Sequence, residues 1–110
     1  MTVDQLKLIL IDTFQMDIYY PTPYILRIGS FKKSSYIFWS VNEFFAYLNE
    51  KTSPNTEYSI YDFMKLARAF SLKLFRLYKK YSKNKKTDTT MFLIGQRTMN
   101  KIIDVLYDMR

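Results

Sequence analysis

A run of basic residues in this 110-residue chain begins after Asp62 and continues to position 86. It is the strongest indication of what the chain could bind. The run holds nine lysines and arginines and no acid. Such side chains neutralise phosphate groups and release condensed counterions, so they bind nucleic acid with a strong salt dependence and little sequence selectivity. We therefore predict phosphate contacts from Lys65, Arg68, Lys73, Arg76, Lys79, Lys80, Lys83, Lys85 and Lys86.

The competing interpretation of this run is a solvated helix face that is lysine-rich only for solubility. Such a face usually mixes acids with bases, because opposite charges three or four residues apart stabilise a helix. The lack of any acid from residue 63 to residue 86 favours a functional surface.

One amphipathic helix, predicted over residues 60–83, would position these cations. At about 100° per residue, its basic side chains fall within an arc of roughly 140°, nearly opposite an apolar arc of roughly 100°. Ser59 is a suitable N-cap for this helix. Asp62 lies at the third helical position, where a carboxylate can accept hydrogen bonds from the unpaired backbone amides at the start of the helix. The apolar arc contains Phe63, Leu66, Ala67, Phe70, Leu74, Leu77 and Tyr81.

Aromatic residues next to the cations are candidates for stacking on the bases of a single strand, each worth about 1 to 3 kcal/mol. The candidates are Phe31, Tyr36, Tyr61 and Tyr78. Most other aromatic residues lie on apolar stripes, where burial explains them. Met64, Leu72 and Phe75 are interpreted as an apolar flank of the long helix, covered by the C-terminal helix or by a partner such as a second copy of the chain.

The positive charge is concentrated in one half of the chain. Residues 1–58 hold five basic and six acidic side chains, whereas residues 59–110 hold twelve and four. This asymmetry favours an anionic partner: nucleic acid first, DNA more than RNA, with an anionic membrane surface or an acidic protein as alternatives. Abundant Lys, Asn, Ile, Phe and Tyr with only two Gly would suit an AT-rich genome, such as that of a low-GC microbe or one of its mobile elements.

Catalysis and metal binding have little support in the composition. The chain has no Cys and no His, so it lacks thiolate ligands and the commonest general base. Neither Gly29 nor Gly95 lies in a glycine-rich phosphate loop. Asp104 and Asp108, one helical turn apart, are expected to face solvent. We predict no enzymatic activity, no cofactor and no metal site.

A β-hairpin is predicted in the first half of the chain. Residues 24–28 and 36–39 are rich in β-branched and aromatic side chains, which favour strands. The Gly and Ser residues between them favour a turn, so we predict an antiparallel hairpin with Lys32 and Lys33 near its tip as a second phosphate contact.

Helices are predicted on both sides of this hairpin. A capping box at Thr2 opens the first helix, over residues 3–15. A second capping box, at Ser40, opens a helix over residues 41–51.

The C-terminal part is predicted to contain a mobile basic loop at 83–90 and a helix over 98–109, with Met99, Ile102, Ile103 and Leu106 on its core face. Residues 91–94 fit either a strand or the start of that helix. The predicted fold is α+β, a single compact domain over residues 1–110 in which three or four helices pack with a short antiparallel hairpin.

These observations together predict a small basic nucleic-acid-binding protein, an accessory or regulatory factor of a phage or mobile element. The alternative is a protein-binding module or inhibitor that presents its basic face to an acidic partner protein, and a homodimer is compatible with either. No apolar run is long enough to span a membrane, so we expect an intracellular, cytoplasmic protein without a transmembrane segment.

Overall fold

A computed structural model describes residues 1–16, 33–84 and 89–109 of the chain. Within these ranges the backbone forms helices and no strand, so the predicted α+β class is wrong and the described fold is all-α. The helices are α1 (Val3–Thr13), α2 (Lys33–Lys51), α3 (Ile60–Tyr81) and α4 (Thr90–Asp108).

The predicted hairpin fails at its second strand, because residues 36–39 lie inside α2. Lys33, predicted near the hairpin tip, is the first residue of the same helix. The predicted first strand, residues 24–28, and Lys32 lie outside the described residues.

Burial along one helical face explains why residues 36–39 do not form a strand. The preference of aromatic and β-branched residues for strands reflects their packing surroundings more than an intrinsic backbone preference. In α2 the buried positions follow helical spacing from the start of the segment, and they are Tyr36, Ser40, Val41, Phe44 and Leu48. A continuous apolar stripe therefore outweighs the local propensity of four residues.

The predicted capping box at Ser40 is also wrong, since Ser40 lies in the middle of α2. Its Oγ donates a hydrogen bond to the carbonyl oxygen of Tyr36 at 2.7 Å, and the residue is fully buried. Asn42 Nδ2 likewise donates to the carbonyl oxygen of Phe38 at 2.9 Å. Both side chains satisfy their polar groups on the carbonyl four residues earlier, so neither marks a helix start.

The capping boxes predicted for α1 and α3 are confirmed. Thr2 Oγ1 accepts from the Gln5 amide at 3.3 Å, and Gln5 Oε1 accepts from the Thr2 amide at 2.8 Å. Ser59 Oγ accepts from the Asp62 amide at 3.1 Å, and Asp62 Oδ2 accepts from the Ser59 amide at 3.0 Å. Each box satisfies amides that lack intrahelical partners, so each helix begins where the sequence predicts.

The C-terminal helix is longer than predicted. It begins at Thr90, so residues 91–94 are helical. Its predicted core face is confirmed at Met99, Ile102 and Leu106, which are all fully buried, whereas Ile103 is half-buried. This helix packs along α3 and against α2, while α1 packs against α2.

Three helices meet at Gly95 of α4. A Cβ atom built at this position would lie 2.8 Å from Leu74 Cδ1 of α3 and 3.1 Å from Ser40 Oγ of α2. Glycine therefore permits an approach of the helices that a larger residue would obstruct. The contact holds the apolar side of α3 against α4 and leaves the opposite side of α3 to solvent.

Candidate nucleic-acid interface

The predicted cations of the long helix form one exposed surface, here called the basic face. Its members are all exposed, and they are Lys65, Arg68, Lys73, Arg76, Lys79, Lys80 and Lys83. The first six lie on α3, and Lys83 lies in the turn after it. The opposite side of α3 buries Phe63, Ala67, Phe70 and Leu74, as the periodicity predicts.

The basic face has no acidic counterpart among the described residues. The ion pairs found there join the N-terminal ammonium to Glu57 and Lys51 to Glu50. Asp62, the single acid of α3, pairs with the helix N-terminus instead of with a cation. Hydrogen bonds with Ser59, supported by the charge of Lys65, lower the pKa of Asp62. The field of the seven cations is therefore left largely uncompensated by nearby carboxylates.

The basic surface extends from α3 onto the last turn of α2. The ammonium groups of Lys51 and Lys73 lie 5.8 and 5.9 Å from the ring centroid of Tyr47, so one aromatic ring orients a cation from each helix. A shallow recess next to them, of about 330 Å³, is lined by Lys51, Thr52, Tyr58, Asp62, Lys65 and Leu66. Sequence reasoning missed Lys51, because only the packing of α2 on α3 brings it near the basic face.

Small and apolar side chains also occur within the basic face. Leu72 is 49% exposed and Tyr61 is 55% exposed, and Ala69 is exposed as well. Of the predicted apolar flank, Met64 and Phe75 are covered to different extents, and Leu72 is not covered. Met64 is buried in the core, and Phe75 is half-buried with the Lys79 ammonium 4.7 Å from its ring centroid.

The four residues predicted to stack on bases differ in their exposure, and one of them lies outside the described residues. Tyr36 is buried at 5% exposure, which removes it as a surface for bases. Tyr78 is half-buried against the core, whereas Tyr61 is exposed at the start of the basic face. Phe31 lies outside the described residues, as do Lys85 and Lys86 of the predicted basic loop.

A second pair of cations lies on the outer side of α4. Arg97 and Lys101 are exposed and one turn apart, and the Lys101 ammonium lies 5.0 Å from the ring centroid of Phe14. With Ile37 and Ile94 they line an open cavity of about 250 Å³. Arg97 and Lys101 do not join the basic face, which makes them useful as a reference for mutations that change charge.

Metal and membrane chemistry receive no positive evidence in the described ranges. Among residues 1–16, 33–84 and 89–109, no group of three or more acidic side chains is close enough together to hold a metal ion. None of the helices described there has both the length and the apolar character needed to cross a membrane.

Comparisons of the chain with models of protein families, with curated proteins and with solved structures give no match.

Proposed function

We propose that this protein binds nucleic acid through the basic face, with DNA as the preferred ligand. The observation that carries the proposal is the exposure of seven cations on α3 and in the turn after it, none of them paired with a carboxylate in the described part of the chain. Unpaired cations lose no intramolecular ion pair when a phosphate binds, so counterion release favours complex formation.

The absence of acids from the surface supports this proposal over simple solubility. A helix face that only keeps a protein soluble usually mixes acids with bases, whereas residues 63–84 contain no acid. Lys51 joins the basic face from α2 across the ring of Tyr47. Cations grouped on one side of the fold attract a polyanion more strongly than the same charges dispersed over the whole surface.

The test is the salt dependence of DNA binding in a charge-reversed variant. We expect the wild-type protein to shift a labelled DNA duplex in fluorescence anisotropy, with log Kobs falling linearly with log salt by about 0.9 for each phosphate neutralised. Arg76→Glu with Lys79→Glu should abolish binding at physiological salt. At low salt, any binding that remains should have a slope shallower by about 2, because two phosphate contacts are lost.

The matched control is Arg97→Glu with Lys101→Glu on α4. This pair changes the formal charge by the same amount on a surface that does not join the basic face. It should reduce affinity only slightly, through the change in net charge. Equal losses in the two double variants would reject the basic face as the interface. No binding of the wild type to DNA or RNA at low salt would reject nucleic acid as the ligand and favour the acidic protein partner.

A further inference from the structure

We infer that Lys51 of α2 and Lys73 of α3 together bind one backbone phosphate of the nucleic acid, with Tyr47 as the residue that positions both ammonium groups. The inference rests on the proposed function and adds a contact from a second helix to the same surface. It also assigns a role to Glu50, whose carboxylate competes with that phosphate for Lys51.

The ring of Tyr47 is held where α2 packs against α3. Its centroid lies 5.2 Å from that of Phe70, a core residue that is only 3% exposed. Lys51 lies one turn after Tyr47 on α2, and Lys73 lies about one turn after Phe70 on α3. The packing of the two rings therefore brings the two lysines together, and neither helix alone specifies this arrangement.

The two ammonium groups lie against this one ring. They are 5.8 and 5.9 Å from its centroid, so the two nitrogen atoms are at most about 12 Å apart. The ring attracts each cation, but the two like charges repel each other. The flexible lysine stems allow both ammonium groups to turn toward one anion, and a phosphate has enough acceptor oxygens to bind both. A shared phosphate therefore removes the repulsion between Lys51 and Lys73.

Two acids lie near this pair of lysines. Glu50 Oε1 is 3.8 Å from the ammonium of Lys51, and Asp62 lines the recess that Lys51 and Lys65 also line. The Asp62 carboxylate caps α3, and Lys65 offsets its charge. Glu50 is therefore the acid that competes directly with a phosphate for Lys51.

The ion pair of Glu50 with Lys51 is weak enough for a phosphate to replace it. The Glu50 side chain is 69% exposed and the Lys51 side chain is 47% exposed. Water and salt screen an exposed pair of this kind, so it adds little to stability. Loss of the pair nevertheless reduces the gain from phosphate binding, so removal of the Glu50 charge should strengthen binding.

The first experiment measures the salt dependence of duplex DNA binding, by fluorescence anisotropy, for Lys51→Gln, Lys73→Gln and the double variant. Each single variant should bind about two- to tenfold more weakly at physiological salt. Because the lysines share one phosphate, the slope for the double variant should be shallower by about 0.9 and not by about 1.8. Lys101→Gln on α4, where the ammonium also lies against an aromatic ring, is the matched control and should change affinity only slightly.

The second experiment tests Glu50 and Tyr47 in the same assay. Glu50→Gln should bind up to about fivefold more tightly than Glu43→Gln, which removes the same charge from an exposed position of α2. This difference should disappear in the Lys51→Gln background. Tyr47→Phe retains the ring and should keep the wild-type slope, whereas Tyr47→Leu should make it shallower. If urea denaturation shows that Tyr47→Leu does not fold, the lysine variants decide the result.

The outcomes separate this inference from the proposed function. Wild-type affinity and slope in Lys51→Gln would overturn the contact from α2. A slope shallower by about 1.8 in the double variant would overturn the shared phosphate, and equal affinities of Glu50→Gln and Glu43→Gln would overturn the competition. Each of these results leaves DNA binding by the basic face intact. Failure of the wild type to bind DNA or RNA at low salt would reject the proposed function itself.

Discussion

Replacing Gly95 with alanine tests the contact that holds α3 with its basic face outward. Two opposing effects decide the result. In a helix interior, alanine is more favourable than glycine by about 1 kcal/mol. The new methyl group, however, would lie 2.8 Å from Leu74 Cδ1 and 3.1 Å from Ser40 Oγ, and extra atoms in a packed core cost about 1 to 3 kcal/mol. Leu74 and Ser40 are both buried, so we expect a net loss of about 1 kcal/mol.

The sign of this effect should reverse when Leu74 is shortened. Leu74→Val removes one methylene group and withdraws the methyl groups nearest to Gly95, at a cost of about 0.8 kcal/mol alone. In the Leu74→Val protein the methyl group of the new alanine has space. The higher helix propensity of alanine over glycine should then decide the change in unfolding free energy. We therefore expect Gly95→Ala to stabilise the Leu74→Val protein by up to about 1 kcal/mol.

Urea denaturation followed by far-ultraviolet circular dichroism measures the free energy of unfolding of the wild type, both single variants and the double variant. Asn100→Ala, at an exposed position of α4, is the control that changes helix propensity without a core contact. It should stabilise the protein by a few tenths of a kcal/mol. Gly95→Ala that stabilises the wild type, or that destabilises both backgrounds equally, would refute the close contact of α4 with α3.

Two further predictions concern the α3 cap and the core. Hydrogen bonds with Ser59 and the charge of Lys65 lower the pKa of Asp62 from 3.8, so its contribution to stability is complete above about pH 4 and is lost as the pH falls through the lowered value. The difference in urea midpoint between wild type and Asp62→Asn should therefore shrink on acidification, and a constant difference would contradict this cause. Phe44→Ala, at a fully buried position, should cost about 3 to 5 kcal/mol of unfolding free energy. Leu8→Ala, at 66% exposure, should change it by less than about 0.5 kcal/mol, and similar losses for both would contradict the described core.

The basic face shows how far local spacing can predict a candidate site. The positions of its cations follow from the period of one long helix, and all seven of its members are exposed as predicted. Leu72 was assigned to an apolar flank, although the same period places it inside the basic arc. Lys51 could not be found in this way, because it reaches the surface from another helix through the ring of Tyr47.

The error in fold class has a different origin. Residues 36–39 are too few to distinguish a strand from one turn of a buried helix by periodicity, so propensity decided the prediction. The apolar stripe that continues to Leu48 overrides that propensity once the segment packs against the other helices.

By itself the sequence determined where α1 and α3 begin and which side of α3 is apolar, because caps and amphipathic periods depend on residues within one or a few turns. Only the tertiary structure decided that residues 36–39 are helical, that Gly95 lies where three helices meet, and that Lys51 joins the basic face. These features depend on contacts between residues far apart in the chain, and the spacing within a single segment does not specify such contacts.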